Sequence, residues 1–414
     1  MVDAPAGKRN SVVFEGRSAV CDMGQQFDRE LERLLEESVE SAQKREAGTF
    51  DELAGSNISE LVLFGAGNLG RRTLSGLRQL GIEPLCFIDN DETLWAKKIN
   101  GLIVLSPEDG ARHYGDRATF VVTIWRGEGT DRMPARIAQL IELGCKTVVP
   151  FLPLYWKFSD SFLPHYTHDL PHRVLLQADR VRQGFRLMAD DVSRREYLAQ
   201  LRFRLLGDFD CLPGPVEGAI YFREDLFKLG KEETLVDCGA FDGDTLSLFL
   251  DWTGALFKSA IAFEPDPANF AKLAERVSRM PQQVRERIEI HQAATGEINT
   301  RVLMDVGSGV ASQVGKGNQE VECVALDSVL RDISVSFIKM DIEGSELATL
   351  AGAKELMRQQ APILAISAYH RQDDLWNIPL LIHDINPDYA FHLRPHLLEG
   401  WDLVCYAVPG SRRL

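Results

Sequence analysis

The sequence predicts an α/β protein built from two Rossmann-like, doubly wound domains joined by a helical connector. Two Gly-rich turns carry that expectation. Gly65-Ala-Gly-Asn-Leu-Gly70 and Cys238-Gly-Ala-Phe-Asp-Gly243 each follow a short apolar, β-branched run and open a helix. The runs do not alternate between apolar and polar, as suits strands covered on both faces. A chain of 414 residues is also too long for one ordinary domain and suits two or three.

Four segments follow in order: 1–57, 58–150, 151–229 and 230–414. In the first, Phe27, Leu31, Leu34, Leu35 and Val39 recur at helical spacing. The helix they define packs on the adjacent domain or, as the alternative, serves a homodimer. The second segment opens with a strand from Ser59 to Phe64, after which Gly65, Gly67 and Gly70 have the G-x-G-x-x-G spacing. Asp89 ends the next strand about twenty residues later, which completes a nucleotide-binding fingerprint. Only about a dozen residues then precede the strand Leu102–Leu105, too few for a full crossover helix. This compact arrangement resembles the N-terminal nucleotide-sugar-binding domain of certain sugar acyltransferases. Thr119–Trp125 and Lys146–Pro150 supply further strands, with a helix near Met133–Leu143 between them.

The third segment is mostly helical. Ser193 or a preceding Asp caps an amphipathic helix that runs to Leu206. His165, His168, Asp169 and His172 lie within eight residues and invite a zinc reading. The interposed Pro171 and the lack of a partner Cys motif do not define a tetrahedral site, so the run reads as a polar linker. The aromatics of Tyr221–Phe227 are expected to pack, with a roof over a ligand as the alternative.

In the last segment Asp237, Asp242 and Asp244 crowd a turn in which Gly239 and Gly243 permit a sharp bend and close ligand approach. The carboxylates would repel a pyrophosphate but suit a ligand with sulfonium and ammonium charges, such as S-adenosylmethionine. The strand Ala260–Phe263 ends at Glu264, where a ribose diol is usually held, and Asp266 opens the following helix. Val335–Asp341 and Pro362–His370 are two more buried strands. Tyr389–Arg394 and Leu403–Val408 form a closing antiparallel hairpin. Open α/β sheets bind ligands outside the carboxyl ends of their strands, and Asp237, Glu264, Asp341 and His370 all sit at such ends. Glu346 is expected on the exposed side of its helix and Asp327 at a turn or cap.

Four stretches in this segment, Val236–Thr245, Ala262–Pro267, Ala325–Leu330 and above all Ile338–Leu347, resemble the FkbM family of S-adenosylmethionine-dependent methyltransferases. The resemblance covers roughly residues 230–410 and implies a class I methyltransferase fold with transfer of methyl to oxygen. It places the cofactor against Asp237, Gly239, Gly243, Asp244, Glu264 and Asp266. The acceptor would be the hydroxyl of a sugar, nucleotide-sugar or other sugar-bearing metabolite. Its proton needs a base, for which His370 is the candidate, or a magnesium ion held by Asp341 and Glu343. Gly65, Gly67, Gly70 and Asp89 form a second site for a nucleotide or nucleotide-sugar.

The net charge of −15, with no long Lys/Arg cluster, excludes a nucleic-acid-binding face. Seven cysteines without C-x-x-C spacing read as reduced thiols. No apolar run has membrane-spanning length and no signal sequence is recognisable, so a soluble cytoplasmic protein is expected. An NAD(P)-dependent oxidoreductase using Gly65, Gly67, Gly70 and Asp89 is the rival enzyme, but it leaves the second half without a role. A non-catalytic nucleotide sensor would not need Asp341, Glu343 and His370 together.

Overall fold

The structure is a computed structural model that describes residues 15–55, 60–304, 317 and 319–414. The expected polar start of the chain, the strand start at Ser59 and the Cys21 thiol lie outside the described residues.

The first sheet contains β1 (Leu61–Phe64), β2 (Cys86–Ile88), β3 (Lys98–Ile99), β4 (Leu102–Leu105), β5 (Thr119–Val122) and β6 (Thr147–Pro150). Its order is β3-β4-β2-β1-β5-β6, parallel throughout except for the β3–β4 pair. Every residue of β1, β2 and β5 is buried, as strands covered on both faces require. A 3-10 turn at Glu92–Leu94 and the short β3 stand between β2 and β4 in place of a crossover helix. Gly70 is needed for close packing, since a Cβ there would lie 1.9 Å from the carbonyl oxygen of Gly65.

The second sheet contains β7 (Thr234–Cys238), β8 (Ser259–Phe263), β9 (Ile288–His291), β13 (Phe337–Met340), β14 (Ile363–Ser367), β15 (Tyr389–Pro395) and β16 (Leu403–Pro409). A small separate sheet is made by β10 (Ala294–Thr295), β11 (Thr300–Met304) and β12 (Gln319–Val324). The large sheet runs β15-β16-β14-β13-β7-β8-β9. Only β16 is antiparallel to its neighbours, so the expected closing hairpin is present. Successive strands step from β7 to β8 and β9 on one side, and then the chain returns to place β13 and β14 on the other. The reversal between β7 and β13 opens the crevice in which ligands of such sheets bind.

The helix Glu15–Leu34 buries Phe27 and Leu31, and Leu35 follows at its end, in the same core as Tyr197, Leu198 and Leu201 of the helix Asp191–Leu206. Asp190 caps the latter helix, accepting from the Ser193 amide and hydroxyl. The histidine run departs from the polar linker expected of it. His168 is 1% exposed and packs among the rings of Trp125, Phe151 and Phe203, while His172 bonds Glu46. A cluster of three histidines is legible in one dimension, but its burial depends on aromatic residues far away in the chain. The described cysteines are free thiols. Among the described residues no helix is long and apolar enough to cross a membrane.

The two large sheets meet at a buried ion pair. Glu399, in the turn before β16, receives Arg136 Nη1 at 2.8 Å and the Met133 amide at 2.5 Å, both from the helix Met133–Glu142. Trp125 Nε1 donates to the Glu399 carbonyl, and the Trp125 and Trp401 rings lie 4.7 Å apart. The pair's side chains are 1% and 0% exposed. Arg136→Met would strand the Glu399 carboxylate away from water and is expected to cost about 3–5 kcal/mol, measured as a lowered urea midpoint.

Candidate functional site

A cavity of about 450 Å³ lies over the carboxyl ends of β7, β8 and β13. Its first wall is the turn after β7. Gly239 has φ 81°, and a Cβ there would fall 2.0 Å from the Asp341 carbonyl oxygen, so the turns after β7 and β13 touch. Lys339 crosses between the same strands, donating to the Gly239 carbonyl at 2.7 Å and meeting Asp237 Oδ1 at 3.0 Å. Asp237 and Lys339 are both buried. Burial raises the Asp237 carboxyl against the pull of Lys339.

The expected cofactor residues therefore divide. Gly239, Asp244 and Glu264 line the cavity, together with Phe241 and an apolar surface from Phe263, Ala293, Ala294 and Met304. Asp237, Gly243 and Asp266 are outside this lining. Asp237 braces two strands through Lys339. Gly243, at φ 88°, starts the helix Asp244–Thr253, and a Cβ on it would press on Arg276. Asp266 caps the helix Pro267–Ser278 by accepting from the amides of Ala268 and Asn269. Asp242 pairs with Arg276 at 2.8 Å. Glu264 accepts from the Phe241 and Asp266 amides, each at 2.9 Å. Burial outweighs those bonds and raises its carboxyl to about 7.

The opposite wall comes from the ends of β13 and β14 and from the turn before β16. Asp341 Oδ2 accepts from the Tyr221 hydroxyl at 3.0 Å, and Oδ1 from that of Tyr369 at 3.4 Å. Tyr221 packs in the same core as Phe222 and Phe227, as expected, and also lines the cavity. Glu343 has φ 53°, an uncommon backbone for a residue with a side chain. Burial lifts its carboxyl to about 7, and that of Asp402, in the same wall, to about 6.

His370 stands behind this wall, and its partner Glu346 corrects an expectation. Its Nδ1 is 2.8 Å from Glu346 Oε1, and its Nε2 is 3.3 Å from Asp341 and 3.9 Å from Glu343. Glu346, expected at the helix surface, is fully buried and also accepts from the Ile342 amide. Burial disfavours the imidazolium, but Glu346, Glu343 and Asp341 prevail and raise His370 to about 10. Those carboxylates favour the protonated ring, and His370 is not among the residues that line the cavity. The helical period of the sequence showed which residues share a face, not that a histidine from another strand would cover this one.

Sequence reasoning overlooked Lys339, although a lysine inside the buried run Phe337–Met340 is itself a signal, since such a charge needs a partner. It also passed over Tyr166, Tyr369, Trp401 and Asp402, which reach the cavity from loops with no local motif. Asp327 receives the amides of Glu355 and Leu356 at the start of the helix Lys354–Gln360, as a cap. In the first sheet, Gly65 packs on Ile124, and Asp89 accepts from the amides of Ala66 and Asp91. Gly67 begins the helix Asn68–Gln79 with open space beside it. Among the described residues no group of three or more His, Cys, Asp or Glu side chains is arranged to hold a metal ion.

The strand order, the closing hairpin and a cavity at the point of reversal define a class I methyltransferase fold. Residues 237–399 match the family model described as the methyltransferase FkbM domain, so this stretch is an FkbM-type methyltransferase domain. The whole architecture is similar to a solved structure described as methyltransferase FkbM from Methylobacillus flagellatus KT. The two share 24% identity with a TM-score of 0.72, over 93% of this chain and 99% of the other. At that identity the likeness concerns the fold. Aeropyrum pernix fibrillarin with bound S-adenosyl-L-methionine is 12% identical over 44% of this chain and 69% of its own, with a TM-score of 0.29. No curated protein matches the chain.

The elevated His370 pKa makes a linkage prediction. Its stabilising contribution is complete below about 6.5 and disappears as pH rises through about 10. Raising pH from 7 to 10 should therefore lower the urea midpoint of the unsubstituted protein more than that of His370→Asn.

Proposed function

We propose that the protein is an S-adenosylmethionine-dependent O-methyltransferase whose acceptor is the hydroxyl of a sugar or sugar-bearing metabolite. The observation that carries this reading is that one cavity joins Gly239 and Glu264 to Asp341, Glu343 and Asp402. The first group fits the donor. Glu264 keeps lone pairs for a ribose diol, and the apolar surface of Phe263, Ala293, Ala294 and Met304 suits a planar base. The second group fits an acceptor, because Tyr166, Tyr221, Tyr369 and Trp401 offer ring faces beside carboxylates that accept hydroxyl protons.

S-Adenosylmethionine supplies a methyl whose C–S bond breaks, its electron pair passing to sulfur, as the C–O bond forms. The chain must hold the acceptor oxygen in line, which is worth roughly 7–11 kcal/mol through alignment. It must also take the hydroxyl proton. Glu343 and Asp402 line the cavity and are the groups available to receive it. His370, as an imidazolium, keeps Glu343 and Asp341 from repelling one another into neutrality. Nothing in this reading passes through magnesium, because Asp341 already engages both tyrosines and His370.

Glu264→Ala should weaken S-adenosylmethionine binding by about 1.5–3 kcal/mol, or roughly 10- to 150-fold, in calorimetry. The ionised carboxylate accepts the diol, so affinity should rise between pH 6 and pH 8 with a midpoint near 7. Glu264→Gln should abolish that rise. Unaltered affinity in a folded Glu264→Ala protein would remove the donor site.

A nucleotide or nucleotide-sugar at the first sheet is a separate part of the proposal. It is supported by the open space beside Gly67 at the start of a helix whose amides suit phosphate. That space also makes Gly67→Val a clean test. The variant should fold and bind S-adenosylmethionine normally while losing affinity for the nucleotide-sugars that the unsubstituted chain binds.

A further inference from the structure

The charge balance of the cavity and the rings around its acceptor side narrow the acceptor further. Among the described residues six carboxylates line the cavity, Glu128, Asp244, Glu264, Asp341, Glu343 and Asp402, against a single lysine, Lys339. Lys339 is committed to Asp237 and the Gly239 carbonyl, and Asp341 to Tyr221, Tyr369 and His370. On the donor side, Asp244 and Glu264 flank the Gly239 turn. Glu343 and Glu128 remain on the other side, with Asp402, which accepts from the Tyr369 hydroxyl. Glu343 Oε2 is buried there without a hydrogen-bond partner, on a side chain 16% exposed.

The same space is bounded by aromatic faces. Tyr166 and Trp401 lie 4.8 Å apart, and Tyr369 and Trp401 5.9 Å apart, each pair edge to face. Ring faces attract a cation through their quadrupoles, and a desolvated ammonium beside a carboxylate gains a charge-assisted hydrogen bond. With a neutral polyol the charge of Glu343 would be met only in part, by His370 at 3.9 Å, a cation it shares with Asp341 and Glu346. An anionic acceptor would add a further negative charge. Resting on the methyltransferase reading, we propose that the acceptor is a hydroxylated amine, such as an amino sugar, whose ammonium group is held by Glu343 and Asp402 inside the ring of Tyr166, Tyr369 and Trp401. The positive charge orients the ring so that a neighbouring hydroxyl faces the methyl, and the carboxylate oxygen of Glu343 or Asp402 not engaged by the ammonium takes the hydroxyl proton.

The test uses the full chain saturated with S-adenosylhomocysteine and titrated in a calorimeter with glucosamine and galactosamine, each against its N-acetyl form. Acetylation removes the charge while retaining the hydroxyls. At least tenfold tighter binding of one amine than of its acetylated partner is expected. Asp402→Asn should reduce that ratio severalfold, and asparagine suits the left-handed backbone there, at φ 48°. Glu343→Gln should reduce it also, with unchanged S-adenosylhomocysteine affinity showing that each variant is folded. Equal binding of amine and amide, or no binding of either amine, overturns the cationic acceptor while leaving the methyltransferase reading intact. Failure of the chain to bind S-adenosylhomocysteine overturns the reading beneath it.

Discussion

The site depends on one buried contact, that of Lys339 with Asp237 and the Gly239 carbonyl. It spans β7 and β13 at the place where the strand order reverses, and so fixes the two turns that must face each other across the cavity. Removing two charges from water is costly, and such a pair is repaid only when its geometry is good and its remaining donors are satisfied. Lys339 is met by a carboxylate and a carbonyl, and its ammonium also lies 5.4 Å from the centre of the Tyr221 ring, whereas Asp237 Oδ2 is buried without a hydrogen-bond partner. Tyr221 in turn bonds Asp341. The donor turn, the brace and the acceptor wall are consecutive links in one chain of contacts.

Behind that wall the charges are arranged by depth. His370 sits among Asp341, Glu343 and Glu346 as the cation that lets three acids share a small volume. Burial opposes the ionisation of Asp341, Glu343 and Asp402 alike; it prevails at Glu343 and Asp402, whose carboxyls are raised to about 7 and 6, whereas His370, Lys339 and the Tyr221 hydroxyl hold Asp341 below its ordinary value. A group that holds its proton firmly and groups that hold theirs loosely have different tasks. The first preserves the shape of the site and the second are available to chemistry.

Much of this was legible from the residues, and the division follows a physical line. Strand ends were readable because burial on both faces removes alternation, and because an acid or glycine turn stops the run. Asp341, Glu264 and the Gly239 turn were found in that way. Roles were harder to read, because a side chain's task depends on what meets it from elsewhere. Asp237 and Glu264 have the same sequence signature, an acid closing an apolar run, yet one is sealed against Lys339 and the other faces the cavity. Glu346 and His370 are 24 residues apart and define each other's charge. Trp401 and Asp402 reach the cavity from a turn that carries no motif.

That turn gives the two halves of the molecule a shared boundary. Glu399, Gly400 and Asp402 all have left-handed backbone, and only Gly400 adopts it without strain. The conformation is held from outside by Arg136, by the Met133 amide, and by the Gly127 carbonyl, which accepts from Leu398. All three belong to the chain around the first sheet. The part of the wall that Trp401 and Asp402 supply is therefore a feature of the junction, while Asp341, Glu343 and Tyr369 come from the ends of β13 and β14. A fragment cut at the start of the second sheet would keep its donor turn and lose the mould that shapes that part of its acceptor wall. On the proposed reading, exchange of first-sheet units between related chains would reshape the side of the cavity near Asp402 without touching Gly239 and Glu264.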